Sequence, residues 1–401
     1  MNATRADSSA PFTVIGRGTC GTVYEIPGTV RVVKIGSSLH TGLWQDFLQT
    51  NLAYRSVIQT EEQLRNLFRH KLSIPRVPRC FEYHTPDDQN FWDPIQPRIP
   101  SDDRPTRAAL IEERVLPMPS ETRAFLISTF FPEEIRKDAL DNDENKACLI
   151  RLYFGEKEPE GMCYDTLQNF PLYYDRMLAL DLELPDLVKE VAIGLSILHW
   201  QAHLDGRDVE FVLGTSAAGP TIPPHTMDFK EGSTPRSVYE HDFRRRRTHI
   251  WMIDFDKSRP FKLTDTDTDI LDKLVPATHG NDPYFPRPDI DASLWQDFVD
   301  AYIKSSEFIL KQELSAAKIK DRVKKRILEL PEQFIQKLKV KFEEQAEFEA
   351  NSENFVVFGN DDSETGGQDE GDNKGMGAEG LSPEEDSSDE ERSSDENSDA
   401  E

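Results

Sequence analysis

The 401-residue sequence predicts an α+β protein: a small glycine-rich sheet near the N-terminus, a larger and mostly helical body, and a disordered acidic tail. Three observations carry this. Residues 12–34 alternate apolar and polar side chains around glycines, the period of half-buried strands. From residue 41 onward apolar residues recur mostly at three- and four-residue intervals, the period of helices packed on a core. Acidic residues outnumber basic ones 74 to 47, yet residues 351–401 alone hold 18 Asp and Glu against 2 Lys and Arg, leaving 56 against 45 in the first 350. With few apolar residues after Phe358, that tail has too little surface to bury to offset the entropy of ordering it.

Taken in order, Phe12–Gly16, Thr22–Ile26 and Val30–Lys34, with a Pro27-Gly28 turn before the third, predict three antiparallel strands. Leu43, Phe47, Leu48, Leu52, Tyr54, Val57, Ile58, Leu64, Leu67 and Phe68 predict one long helix or two short ones between Thr41 and Arg69. Strands return at Val77–Tyr83 and Ala109–Leu116, and the Pro- and Asp-rich stretch between them, residues 85–105, reads as a surface loop. Leu182–Trp200 predicts a buried helix. Residues 214–248 begin with Gly, Pro, Ser and Thr and end on Arg244-Arg-Arg-Arg247, the pattern of an insert before the apolar strand His249–Ile253. Leu294–Leu310 and Ala316–Glu349 predict two further amphipathic helices, and the body ends near Ala350.

Composition excludes several classes. Met1–Pro11 has no apolar h-region and no apolar run reaches membrane-spanning length, which predicts an intracellular protein, cytoplasmic or nuclear, with no membrane association. Cys20, Cys80, Cys148 and Cys163 stand singly with no matching histidine pair, so neither a disulfide framework nor a zinc finger is indicated. A net charge of -27 argues against general nucleic-acid binding. The arginine run has the form of a nuclear import patch or of a solvated insert. The tail segments Ser387-Ser-Asp-Glu-Glu and Ser393-Ser-Asp-Glu have the form of substrates for acid-directed kinases, on a tail read as solubilising.

The chemistry-bearing residues begin with Gly16-Arg-Gly18-Thr-Cys-Gly21-Thr-Val23, a G-x-G-x-x-G-x-V loop in which positions without side chains let backbone N–H groups close over phosphate oxygens. The same spacing occurs in dinucleotide folds, where a helix must follow, and in hairpin turns without a ligand; here Val23–Ile26 continues as strand. Lys34, 13 residues after Gly21, ends an apolar strand that aims its ammonium beneath the loop, unless it is an edge lysine in water. A phosphate-binding lysine is normally held by a helical carboxylate, and Glu61 and Glu62, 27 and 28 residues later, are the candidates, although two adjacent glutamates also suit a solvated helix face.

Further on, His203-Leu204-Asp205, with Glu210 five residues after Asp205, can be set against H-R-D-x-x-x-x-N, and an apolar strand follows as that motif requires. Ile253-Asp254-Phe255-Asp256 ends a second apolar strand. An acidic side chain emerging from such a strand is costly to bury unless it meets a cation, which makes Asp254 a candidate magnesium ligand or else a capped turn aspartate.

The succession of glycine loop, lysine, helical glutamate, catalytic aspartate and metal aspartate resembles the protein-kinase-like superfamily. More closely the chain resembles a fungal family of kinase-like domains of unknown function, often carried under the label "zinc finger protein". The stretches that carry this are Ile15–Glu25, Cys148–Glu156, Asn169–Leu172, Ala192–Gly214, Trp251–Lys257 and Leu274–Pro288, spanning roughly residues 12–302. The resemblance implies a two-lobed kinase-like fold with a small N-lobe of sheet plus helix over residues 12–116 and a larger, mostly helical C-lobe over 117–310. Residues 311–350 add C-terminal helices, and residues 1–11 and 351–401 are disordered ends.

The resemblance also implies ATP and Mg²⁺ as cofactors. Gly16, Gly18, Gly21, Val23 and Lys34 would hold the nucleotide, Asp205 would accept the acceptor hydroxyl proton, and Asp254 with Glu210 would hold the metal. Departures from the pattern are Glu210 for Asn, Leu204 for the arginine of H-R-D, Asp256 for the glycine of D-F-G, and Asn281–Pro288 where A-P-E would stand, so a platform for protein substrates is not indicated. Two functions follow: a phosphotransferase with an unidentified acceptor, or a catalytically silent kinase-like module that recognises a protein partner.

Overall fold

The computed structural model describes residues 10–36, 42–100, 107–218, 242–316 and 318–358. The chain divides into two units, Met1–Ala350 and Asn351–Glu401. Of the second, only residues 351–358 are described, and the tail expected to be disordered lies otherwise outside the described residues, as does most of 1–11. The first unit is α+β, with a β-sheet region at its start and a mainly helical part after it.

The first sheet contains β1 (Thr13–Arg17), β2 (Gly21–Glu25), β3 (Arg31–Gly36), β4 (Cys80–His84) and β5 (Ala109–Glu113), in the order β1-β2-β3-β5-β4 with every pair antiparallel. The β2–β3 turn needs Gly28, whose φ of 73° is a left-handed conformation open to glycine, and Thr29 locks it by donating its hydroxyl to the Ile26 carbonyl at 2.9 Å. As the middle strand, β3 is buried on both faces: Val33 and Ile35 pack with Phe12, Tyr24, Trp92 and Ile111, while Val32 and Lys34 point to the other face.

Helix α1 (Gly42–Leu67) joins β3 to β4 and is one continuous helix. Its buried face runs Leu43, Asp46, Thr50, Ala53, Val57, Thr60 and Leu64, a strict alternation of three- and four-residue steps that includes three polar side chains. Leu48, Leu52 and Ile58, which the sequence places in an apolar stripe, are exposed instead.

Of the stretch read as a surface loop, residues 85–100 are described and are not simply a loop, while residues 101–105 lie outside the described residues. Asp88 caps helix α2 (Gln89–Ile95) by accepting the Phe91 N–H at 3.3 Å, and Trp92 buries itself against the sheet with its Nε1–H donated to the Thr85 carbonyl at 2.9 Å. Trp92 and Ile99 are buried in the cluster of Phe12, Val33 and Ile111, with Phe91 and Ile95 packed against it, so this segment adds to the core under the first sheet.

In the helical part, α3 (Ser120–Phe130) and α4 (Arg136–Asp141) precede β6 (Ile150–Tyr153) and β7 (Phe170–Tyr173), followed by α5 (Tyr174–Ala179) and α6 (Leu184–Trp200). Helix α6 is apolar nearly all round and forms the centre of the core. Its polar end is satisfied by a single hydroxyl: Tyr302 Oη lies 2.8 Å from His199 Nδ1 and accepts from Trp200 Nε1 at 2.9 Å.

Strands β8 (Glu210–Ala218) and β9 (Asp242–Ile253) complete a second sheet of order β7-β6-β8-β9. Both extend well into the segment read as an insert, paired in register from Glu210↔Ile253 to Ser216↔Arg247. Thr215 explains part of this, because its backbone N–H and carbonyl pair with Leu116, extending the ladder past the glycine. Residues 219–241 of the insert lie outside the described residues, and so do the side chains of Arg244–Arg246. Helices α7 (Asp267–His279), α8 (Ala292–Ala316) and α9 (Asp321–Phe358) close the fold, α9 burying Leu330, Phe334, Leu338 and Phe342 at four-residue steps. Among the described residues no helix is long and apolar enough to cross a membrane.

Candidate functional site

A cavity of about 210 Å³ opens between the first sheet and the paired ends of β8 and β9. It is lined by Gly16, Gly18, Gly21, Val23, Lys34, Glu210 and Asp254 among others, so seven sequence-selected residues from four strands and two loops meet in one place.

The loop over this cavity is a tight hairpin in which Gly18 N–H donates to Gly21 O at 3.0 Å and Gly21 N–H to Gly18 O at 3.3 Å. Its glycines have different reasons. A Cβ on Gly21 would stand 2.2 Å from the Ile35 carbonyl oxygen, so close strand packing alone forbids a side chain there. Gly18 has nothing within 4 Å of where a Cβ would sit, Gly16 has only Val23 at 3.8 Å, and neither has a left-handed φ. Nothing in the protein itself requires glycine at those two positions, which face the cavity. Cys20, at the turn, is buried with Leu43 and Leu110 and ties the loop to the start of α1; burial pushes its thiol up to about 12 and keeps it protonated.

Beneath the loop, Lys34 Nζ lies 2.7 Å from Asp46 Oδ2 and 3.0 Å from Asp254 Oδ1. Burial pulls the ammonium down, but the two carboxylates outweigh it and hold Lys34 well above the ordinary lysine value. Asp46 is 2% exposed, and its Oδ1 accepts the Thr50 hydroxyl at 3.0 Å and the Phe255 N–H at 3.2 Å. Asp254 has φ of 63°, a left-handed conformation uncommon outside glycine that swings its carboxylate out of the strand toward Lys34.

The helical carboxylate on Lys34 is therefore Asp46 and not Glu61 or Glu62. Glu61 pairs with Arg65 at 2.9 Å, and Glu62 accepts from Asn66 Nδ2 at 3.3 Å. The reason is axial distance: Asp46 sits near the first turn of α1, whereas Glu61 is fifteen residues further, about 22 Å along the axis. Asp46 shares the Leu43–Leu64 buried register, and its polarity conceals it from a pattern of apolar spacing.

Two further residues missed by the sequence reading line the cavity. Glu112 stands opposite Val32 across β3 and β5, and desolvation, helped by Asp46 and opposed by Lys34, pushes its carboxyl up to about 8. Arg151 on β6 forms an ion pair with Glu210 and a second with Asp282 at 3.2 Å. Burial pushes Glu210 up to about 7 despite the neighbouring guanidinium. Tyr153 donates to the same Asp282 at 2.9 Å, and Asn281 Nδ2 donates to the Val209 carbonyl at 3.0 Å, so the segment from Asn281 braces the turn before Glu210.

Asp205 is placed differently from the others. It is 2% exposed, and its Oδ1 accepts backbone N–H groups from Arg259 at 2.8 Å and Arg207 at 3.1 Å. Burial raises its pKa against those two donors. It is joined to the segment just after Asp254, but among the described residues it does not line the cavity.

Among the described residues no group of three or more His, Cys, Asp or Glu side chains could hold a metal ion, and all four cysteines are free. This disfavours zinc, which takes three or four protein ligands. It is compatible with Mg²⁺, which takes one or two carboxylates and completes its shell with water and phosphate oxygens.

A family model for a domain of unknown function, described as "Zinc finger protein", matches residues 250–314. That stretch includes Asp254 and Asn281–Pro288 but contains no cysteine and a single histidine, His279, so the description's metal has no ligand set there. No curated protein and no solved structure matches the chain.

Proposed function

We propose that the chain is a kinase-like domain that binds a nucleotide with Mg²⁺ in this cavity and transfers its terminal phosphoryl group to an acceptor hydroxyl. The observation that carries the reading is the meeting of Lys34, Asp46 and Asp254, the first and last 220 residues apart, under a glycine loop. A lysine on the third strand, paired to a helix and set beside an aspartate that ends a later strand, is the arrangement by which kinases position phosphates and metal. The two glycines that the protein's own packing leaves unexplained fit a loop approached closely by a ligand.

In this reading Lys34 holds phosphate oxygens, Asp46 fixes the lysine, and Asp254 and Glu210 are the metal-binding carboxylates. The bound nucleotide supplies the phosphoryl group. Arg151 neutralises Glu210, which relieves the repulsion a second carboxylate would exert on phosphate. Asp205, with a raised pKa, is the base candidate and needs a shift of its loop to reach an acceptor.

A second reading is favoured by that same residue. With Asp205 buried and its oxygen occupied by two backbone N–H groups, the domain can bind nucleotide, or a partner, without catalysis. Titration of the full chain with ATP, with and without Mg²⁺, tests the shared premise. Magnesium-dependent binding lost in Lys34→Ala and Asp254→Ala supports it, and indifference to ATP in every protein removes the enzyme. Asp205→Ala separates the readings: an enzyme loses phosphoryl transfer but keeps nucleotide binding, and equal activity in wild type and variant refutes the assigned base.

A further inference from the structure

Helix α1 has its polarity inverted. Of its nine buried residues five are polar, Asp46, Gln49, Thr50, Ser56 and Thr60, and the hydroxyls of Thr50, Ser56 and Thr60 donate to groups of the same helix. Its exposed residues as far as Ile58 are Trp44, Leu48, Leu52, Arg55 and Ile58. Steps of four, four, three and three put them in one stripe. Trp44, Leu48, Leu52 and Ile58 are 46%, 42%, 38% and 57% exposed. A helix whose outer face meets only water carries these two sets the other way round. Beyond Ile58 the exposed residues are Gln59, Glu62, Gln63 and Asn66, an ordinary solvated face, so the inversion belongs to one length of the helix.

The stripe is also pre-set at one end. Trp44 stacks on Phe47 with ring centroids 5.3 Å apart and meets Tyr83 of β4 edge-on at 4.8 Å, which fixes the exposed indole in place. A rigid aromatic loses little freedom when something covers it, and four apolar side chains in a row gain from being covered. This is the form of a contact surface.

Charge and spacing indicate what covers it. Nearly one residue in five of the chain is acidic, 74 of 401, yet from Gly42 to Gln59 the one acid is Asp46, which is buried. A face that meets its own image in a chain of net charge -27 has to be free of exposed acids, because each would lie near its like, whereas a basic partner would favour acids there. The stripe is self-complementary as well. Two α1 helices packed antiparallel, with a two-fold axis between Leu48 and Leu52, set Leu48 of each copy against Leu52 of the other. Trp44 lies about 9 Å along the helix from that axis, and Arg55 and Ile58 lie about 8 and 12 Å from it in the opposite direction. Each indole therefore meets Arg55 and Ile58 of the other copy, an apolar contact and a cation over an aromatic face.

We infer that the Trp44–Ile58 face of α1 is the contact surface of a two-fold homodimer of this chain, made by antiparallel pairing of α1. None of the five stripe residues lines the nucleotide cavity, so the dimer leaves that site as it is.

Sedimentation velocity of the full chain, at about 0.15 M salt to screen repulsion between the acidic bodies, tests this. The wild type should move from the 45.9 kDa of one chain toward twice that mass as concentration rises. Leu48→Glu and Leu52→Lys, both at exposed positions, should keep the wild-type thermal midpoint and each weaken dimerisation by about tenfold or more. An equimolar mixture of the two variants should recover the dimer, since the acid introduced in one chain faces the base introduced in the other. A wild type that keeps the mass of one chain up to about 100 μM, as it would if a different protein covered this face, or a dimer that Leu48→Glu leaves unchanged, would overturn the assignment. A mixture that stays monomeric would overturn the antiparallel pairing.

Discussion

Replacing Lys34 by methionine keeps the length and stem of the side chain and deletes its charge. The Lys34 and Asp46 side chains are 10% and 4% exposed and 2.7 Å apart. At that separation the gross attraction is ~6 kcal/mol for an effective dielectric constant of ~20, much of it offset by desolvation of the two ions. What the variant exposes is the other half: Asp46 stays buried without its cation, a loss of about 3–5 kcal/mol. The Thr50 hydroxyl and the Phe255 N–H still donate to Asp46, which places the expected value near the lower end, about 3 kcal/mol.

Asp46→Asn keeps an oxygen for those donors and leaves Lys34 with Asp254, so its expected cost is about 2 kcal/mol. In the double variant Lys34→Met/Asp46→Asn neither charge is stranded, and the combined loss should fall short of the sum by at least about 1 kcal/mol. The folded pKa of Lys34 lies above its ordinary 10.5, so the pair's contribution is fully present below that pH and is lost only as pH rises through the higher folded value. Urea unfolding of the four proteins between about pH 5 and 7, below the range where Glu112 ionises in the folded protein, should therefore give a level gap between wild type and Lys34→Met. Additivity within about 0.5 kcal/mol would refute the claim that these two residues form one buried unit.

The glycine loop gives a paired expectation. Gly21→Ala drives a methyl to 2.2 Å from a backbone oxygen and should destabilise by about 1–3 kcal/mol, whereas Gly18→Ala should leave unfolding within about 0.5 kcal/mol yet weaken nucleotide binding; unaltered affinity in Gly18→Ala would detach that glycine from any ligand. Glu112 has its carboxyl raised from 4.5 to about 8, so the folded state holds a proton that the unfolded chain releases, and Glu112 erodes stability as pH climbs from about 4.5 to 8. Relative to wild type, Glu112→Gln should accordingly gain stability across that window and level off above it, and a pH-independent difference would contradict the placement of its carboxyl. Prolonged EDTA treatment should leave the thermal midpoint of the protein unchanged, since the described residues offer no zinc cluster; a drop of several degrees would reveal a structural metal.

The sheet-and-helix plan was legible because it rests on periodicity: β1 to β3 and α6 lie close to where the alternation and the three-to-four spacing put them. The convergence of Gly16, Lys34, Glu210 and Asp254 was legible because each carried a local motif. Asp46, Glu112 and Arg151 carried none. Each is a charged residue within an otherwise ordinary helix or strand, and its role comes from what β3, β8 and β9 bring opposite it, a long-range fact without a local trace. The extended β8 and β9 were misread for a related reason: Thr215 is fixed by Leu116, nearly a hundred residues away, and not by its neighbours' propensity. Trp92 and Ile99 show the converse, a few apolar anchors overriding a loop-like composition.

The ammonium of Lys34 is shared between a carboxylate of α1 and one that follows β9, and the α1 carboxylate also holds the N–H of Phe255. Three elements thus turn on one pin, and α1 cannot slide or tilt by a fraction of a turn without loosening both grips together. A displacement of that helix therefore acts on the segment after β9 at the same time, because one carboxylate holds both. The exchange rate of the Phe255 amide hydrogen, sealed by Asp46, reads out how often the pin lets go.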